Sequence, residues 1–292
     1  WVYRPVVVAL VGDRLQVANR RSFTDLSDLV ATWELLADGA VVSSGVLDVG
    51  PIAPGAAVEI ALPCEVPDTD DVHLTVRWSQ RRAAPWAPKG HLVAWDQATL
   101  RSPSPTPTPT PTPSTNPKFG AEVAPGATFA PNLGLGGSGP ELALFRAPVD
   151  NDGFKLLPEL GRRIGVGGDG LGHWIDAGVD RLAADDLVEH VHHVERLDDG
   201  VEIHTHIVVV PEALDDVARV GVRFELPSGF DRLRWFGRGP LENYPDRNRG
   251  AVLGVWESDP DDPPYLVPQE FGLRTDCRWF EFADPTTGTV VR

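Results

Sequence analysis

Val72, Leu74, Val76 and Trp78 alternate with His73, Thr75 and Arg77. This period-two pattern suits an extended strand with one face on an apolar core and the other in solvent. Ala31, Trp33 and Leu35 alternate in the same way with Thr32 and Glu34, and Asp38-Gly39 then joins that strand to Val41-Val42 as a tight hairpin. Pro51, Pro54-Gly55, Pro63 and Pro67 punctuate the chain after this hairpin, and the apolar run from Pro5 to Gly12 reads as a buried strand. Short strands with turns at this spacing predict an immunoglobulin-like β-sandwich over residues 1–100, without the Cys-Trp-Cys pattern of antibody domains.

A Thr-Pro repeat from Pro103 to Pro113 comes next, inside a linker at 101–118. Every second residue there lacks an amide donor, so neither a helix nor a central strand can form. An extended polyproline II spacer of about 3.1 Å per residue is expected. Gly, Pro and Ala continue the irregular region to residue 140. From Leu142 the pattern returns to β, with strands at 201–207, 221–226 and 278–282 and a short helix near His173 to Leu182. Residues 119–292 therefore read as a second β-sandwich, and the fold class is all-β.

The 292 residues are enough for two cores, and 42% apolar content is that of a globular chain. No run of about 18 apolar residues is present to span a membrane. A net charge of −16 argues against nucleic acid, which requires a basic face. Cys64 and Cys277 are too few for a disulfide framework or a zinc site and read as reduced packing residues. The chain opens on Trp1 with no secretion signal and contains no Met, so it reads as an internal or C-terminal piece of a longer protein; its few cysteines fit the cytoplasm, while the Thr-Pro linker leaves export open.

The segment from Trp235 to Arg247, Trp-Phe-Gly-Arg-Gly-Pro-Leu-Glu-Asn-Tyr-Pro-Asp-Arg, has two glycines and two prolines that should break any regular element. Arg238, Glu242, Asn243, Tyr244 and Asp246 make it the candidate ligand-binding loop, with Arg247 as its brace. The string resembles a hallmark of the C-terminal β-sandwich of glycoside hydrolase family 2 β-galactosidases. Two further segments resemble that family in the same order. One is Arg146-Ala-Pro-Val-Asp-Asn-Asp152, with Arg146, Asp150 and Asp152; the other is Tyr265-Leu-Val-Pro-Gln-Glu-Phe-Gly272, with Gln269 and Glu270. Trp33 to Gly39, Leu74 to Arg77 and His91-Leu-Val-Ala-Trp-Asp-Gln97 resemble the domain that follows the family's catalytic barrel.

The resemblance implies an immunoglobulin-like domain followed by a larger, incomplete galactose-mutarotase-like sandwich. It implies a parent that hydrolyses terminal β-D-galactosides such as lactose with retention, as a homo-oligomer. Its Mg and Na ions would sit outside this chain, which needs no cofactor of its own. Partners expected are the parent's catalytic barrel and the galactoside, with no nucleic acid and no membrane. A retaining glycosidase needs two carboxylates about 5 to 5.5 Å apart. The family carries them on a barrel of roughly 200 or more residues of strand–helix alternation, which is missing here, so no catalytic residue is assigned. Glu242, Asp246, Asp150 and Asp152 lie beside Arg238, Arg247 and Arg146, which points to ion pairing instead.

Other patterns carry less. Asp150-Asn-Asp-Gly153 opens like a calcium loop, but the twelfth position is Gly161, not the bidentate Glu an EF-hand requires. The glycine triplets at 134/136/139 and 165/167/170 lack the strand–helix setting of a dinucleotide site. His204 and His206 share a strand face with Glu202, read as solvated and without metal. The alternative function is a stand-alone carbohydrate-binding module on a Thr-Pro stalk.

Overall fold

A computed structural model describes residues 3–103, 119–123, 126–129, 141–149, 152, 170–179, 187–196, 198, 202–211, 214, 217–223, 226–259 and 270–291. The chain forms two compact units. The first comprises Trp1–Pro105, Arg234–Glu257 and Leu273–Phe280; the second comprises Thr106–Leu233, Ser258–Gly272 and Glu281–Arg292.

Seven strands build the sandwich of the first unit: β1 (Val6–Val11), β2 (Arg14–Asn19), β3 (Leu29–Ala37), β4 (Ala40–Leu47), β5 (Ala57–Ala61), β6 (Val72–Gln80) and β7 (Leu92–Arg101). They form two antiparallel sheets, ordered β1-β2-β5 and β4-β3-β6-β7. This is an immunoglobulin-like arrangement. The inward residues Leu15, Val17, Leu35, Val72, Leu74, Val76 and Trp78 are buried together in one core. At the β3–β4 hairpin Asp38 and Gly39 have φ of 47° and 84°. This is the left-handed pair that a two-residue turn of matching twist demands. β1 is only half-buried, since Val6 and Val8 enter the core while Val11 is 48% exposed.

The outer face of β6 departs from the expected solvated face. His73 and Thr75 are 0% and 4% exposed. The reason is a second layer within the same unit. Leu36 buries against Phe236 and Leu253, and the side-chain amide of Gln97 donates to the Leu253 carbonyl at 2.7 Å and accepts its N–H at 2.8 Å. Those later residues come from β14 (Arg232–Gly239) and β15 (Val252–Ser258), which with β16 (Trp279–Ala283) and β17 (Val290–Val291) form a sheet ordered β15-β14-β16-β17.

β14 corrects the expectation that glycines would break regular structure from Trp235 onward. Trp235 and Phe236 lie inside this strand, 1% and 2% exposed. Its glycines allow close approach: a Cβ at Gly239 would overlap the Trp256 indole, and one at Gly237 would sit 2.8 Å from Cys277 Sγ. Gly239→Ala should therefore cost about 1 to 3 kcal/mol through overpacking. Chemical denaturation measures this, and an unchanged midpoint would refute the close-packing role.

In the second unit β12 (Glu202–Pro211) pairs with β11 (Glu189–Arg196) on one side and with β8 (Phe119–Val123) and β9 (Gly126–Phe129) on the other. Part of the stretch read as irregular up to residue 140 is thus strand, because β12 offers it a partner edge. β10 (Glu141–Ala143) pairs with β13 (Gly221–Arg223), shorter than the strand expected at 221–226. Helix α1 spans Gly170–Ala177, earlier than expected and opening on the last glycine of the 165–170 triplet. Leu142, Leu144, Val188 and Val208 form a buried cluster. The Thr-Pro repeat beyond Pro103, both Asp150 and Gln269, and the 134–139 glycines lie outside the described residues. Among the described residues the fold is all-β, with α1 as a short exception.

His206 corrects a further expectation. It is 1% exposed, with its Nδ1 2.9 Å from His190 Nε2 and its ring stacked on His192 at 4.2 Å. Cross-strand pairing of His192 with His206 brings the rings together.

Candidate functional site

The loop after β14 is organised around Asn243, which is 2% exposed. Its amide donates to the carbonyls of Arg238 and Leu241 at 3.0 Å each. Its oxygen accepts the Thr275 N–H at 2.9 Å and the Thr275 hydroxyl. Its own N–H donates to the Leu273 carbonyl at 2.9 Å. With all these bonds made internally, Asn243 pins the 238–243 turn to the 273–275 segment.

Arg238 forms an ion pair with Asp276, and its N–H donates to the Thr275 carbonyl at 3.0 Å. Glu242 pairs with Arg247 at 2.5 Å, and the Arg247 guanidinium lies 4.8 Å over the Tyr244 ring. Pro245–Gly250 forms two short 3-10 turns kinked at Arg247, with Asp246 exposed in the first. Of the five loop candidates, Asp246 is thus the one presented openly to solvent. Because the Arg247 side chain is 54% exposed, its ion pair should contribute under about 1 kcal/mol. Arg247→Ala is expected to leave the melting temperature nearly unchanged but to speed limited proteolysis within 240–250. Unchanged protease resistance would refute the bracing role.

The outer face of β6 supplies a second anchor. Asp71, 4% exposed, accepts from Arg278 Nε at 2.6 Å and from His73 Nε2 at 2.6 Å. A carboxylate only accepts, so His73 carries its proton on Nε2 and takes the Thr99 hydroxyl on Nδ1 at 3.1 Å. Burial pulls the His73 pKa down, opposed by the Asp71 charge. Arg278 also donates its backbone N–H to the Phe236 carbonyl at 2.8 Å. Beside this network lies a cleft of about 260 Å³, lined by Trp95, Thr99, Arg238, Asn248 and Arg249 among others.

In the second unit Arg146 makes a two-pronged bond to Asp152 at 2.7 and 3.1 Å and lies 5.0 Å over the Trp174 ring. Asp152 also accepts the Val149 N–H at 2.8 Å. The Glu270 carboxylate accepts from Arg219 at 2.6 Å and from the Ala147 N–H at 3.1 Å, and its N–H donates to the Pro148 carbonyl. The segments around Arg146 and Glu270 are therefore stitched to each other.

These bonds limit the chemistry. Glu242, Asp276, Asp152 and Glu270 each engage an arginine. Among the described residues no group of three or more His, Cys, Asp and Glu is arranged to hold a metal ion. Cys277, expected as a packing residue, is exposed as a whole, yet desolvation of its thiol pushes the pKa up and works against a thiolate nucleophile. Reading the sequence missed Asp71, His73 and Arg278. A lone Asp or His on an alternating strand carries no signal that a second layer will cover it. Gln97 stands out in the sequence only as the end of the longer His91–Gln97 motif.

The family model for the β-galactosidase small chain matches residues 130–290, and the model for β-galactosidase domain 4 matches residues 15–101. The chain belongs to the β-galactosidase family, as a C-terminal region of such a protein. It is 34% identical to a β-galactosidase of Arthrobacter sp. (strain B7), over 92% of this chain and 31% of that protein. It is 28% identical to β-galactosidase 2 of Enterobacter cloacae, over 90% of this chain and 30% of that protein. A stretch of 70 residues is 43% identical to a β-galactosidase of Priestia megaterium. The chain thus spans 31% and 30% of the first two relatives.

Proposed function

We propose that this region is an accessory part of a β-galactosidase acting on terminal β-D-galactosides, inactive alone, that braces an active site supplied by the rest of the enzyme. The observation that carries this reading is the arginine pairing of Glu242, Asp276, Asp152 and Glu270. Carboxylates held this way support loops and are poorly placed to protonate a glycosidic oxygen or attack a sugar carbon. Asp246 and the 240–250 loop after β14 are the parts we assign to face the galactoside side of the assembled enzyme. The partner is the catalytic barrel of the parent.

The purified chain is expected to give no turnover of a chromogenic β-galactoside above a buffer blank. Clear turnover would overturn the reading, and Asp246 and Glu242 would be the first residues to replace. A second reading, a carbohydrate-binding module, is favoured by the polar cleft that Trp95, Thr99 and Asn248 help to line. Calorimetry with galactose and lactose separates the two. Heat at millimolar or tighter affinity supports the module, and no heat supports the accessory region.

A further inference from the structure

One pole of the immunoglobulin-like sandwich combines exposed aromatic side chains with basic charge. It gathers the segment before β1, the β2–β3 connection and the β6–β7 connection. Three aromatic side chains stand out from it: Tyr3 is 98% exposed, Phe23 93% and Trp86 65%. Tyr3 and Phe23 line the two sides of an open groove of about 500 Å³, together with Arg20 and Arg21. Trp86 is held edge-on to His91 at 5.8 Å in the β6–β7 connection.

Hydrogen bonds make the pole one surface. Arg81 donates its N–H to the Asp28 carbonyl at 2.8 Å, and its guanidinium donates to the carbonyls of Ser27 and Leu29 at 2.9 Å each. Arg21 reaches the same connection through the Asp28 carboxylate at 2.5 and 3.0 Å. Arg20 donates its N–H to the Pro5 carbonyl, closing the groove from the other side. These bonds set the three segments, and with them the aromatics, in a defined relation.

The charge of the pole is opposite to that of the chain. The three segments carry Arg4, Arg20, Arg21, Arg81, Arg82 and Lys89 against Asp25 and Asp28, with Arg4 paired to Asp96 of β7 and Arg21 to Asp28. The chain as a whole has 42 acidic and 26 basic residues. Exposed aromatics among arginines have the composition of a protein–protein interface. We propose that this pole is the docking surface for the remaining part of the β-galactosidase, which would meet it with an acidic face recessed for Trp86, Phe23 and Tyr3. The inference rests on the proposed accessory role. The choice of partner rests on the basic charge of this surface, which an acidic face would complement, and on the fact that the matched region is only 31% of the length of the Arthrobacter relative.

The probe is the portion of the Arthrobacter sp. (strain B7) β-galactosidase that precedes its aligned stretch, titrated with the whole chain. That probe with the relative's own aligned stretch is the positive control. The wild-type chain is expected to bind, more weakly as salt rises. Trp86→Ala with Phe23→Ala should weaken binding about tenfold or more, as loss of central aromatic anchors does. Arg82→Glu should chiefly slow association. All three positions are exposed or in connections, so the variants alone should melt like wild type. If the wild-type chain binds and the double variant binds within about twofold of it, the surface is wrong while the accessory role stands. If the control binds and this chain does not, the accessory role itself falls, and the docking surface with it.

Discussion

Trp78→Ala should destabilise the first unit by about 3 to 5 kcal/mol, the cost of emptying a large aromatic site in a packed core. Trp78 is 1% exposed, and its cross-strand neighbours on β3 and β7 are Ala31 and Ala94, themselves 4% and 0% exposed. Two alanines flank one tryptophan, so no larger side chain stands beside it in the sheet to fill the cavity. Trp33→Ala should cost a similar amount: its opposite residue Gly45 leaves room for the indole, and a Cβ there would lie 3.0 Å from it. Thermal unfolding followed by circular dichroism measures both. A midpoint within about 2 °C of wild type for Trp78→Ala would show that the core collapses around the gap.

Asp71→Ala is expected to cost about 3 kcal/mol, the lower part of the range for breaking a buried pair, because the Arg278 side chain is 26% exposed and regains some water. The change strips the partner from both Arg278 and the fully buried His73. It should also loosen the 273–278 segment that pins Asn243 and Arg238, which protection of those amides from hydrogen exchange would report. Loss of global stability with unchanged exchange there would separate the core role of Asp71 from its hold on the loop.

The same network predicts a pH response. Burial is the main cause lowering the His73 pKa, so the folded protein binds this proton less readily than the unfolded chain, whose histidine titrates near 6.5. Between the folded and unfolded values the unfolded state carries more protons, and stability rises with pH. The His73 contribution is full above about pH 6.5 and declines as pH falls below it. His73→Gln should flatten that slope in denaturation curves taken from about pH 5 to 8. An unaltered slope would assign the response to other groups.

Much of the first sandwich was legible beforehand. The alternation in β3 and β6 and the Asp38-Gly39 turn name their own structure, since a strand with one buried face must repeat every second residue. The glycines of the 235–239 segment misled, because Gly237 and Gly239 serve close packing against Cys277 and Trp256 inside a strand rather than breaking one. His206 misled because its exposure depends on ring stacking across β11 and β12. The arginine–carboxylate partners show a similar split. Arg247 with Glu242 and Arg146 with Asp152 are neighbours in sequence and could be paired on paper. Arg238 with Asp276 and Arg278 with Asp71 join residues far apart in the chain.

Sequence alone determined the all-β class, the strand periods, the turn at Asp38-Gly39 and, through three ordered motifs, the family. Each of these is local: it depends on spacing, donor loss at proline or the conformational freedom of glycine. Tertiary structure alone decided that β6 is covered on both faces, that Asn243 is a pin, and that Tyr3, Phe23 and Trp86 share one basic pole. Those outcomes depend on which distant segments meet. Desolvation and pairing act on groups only after the fold has brought them together.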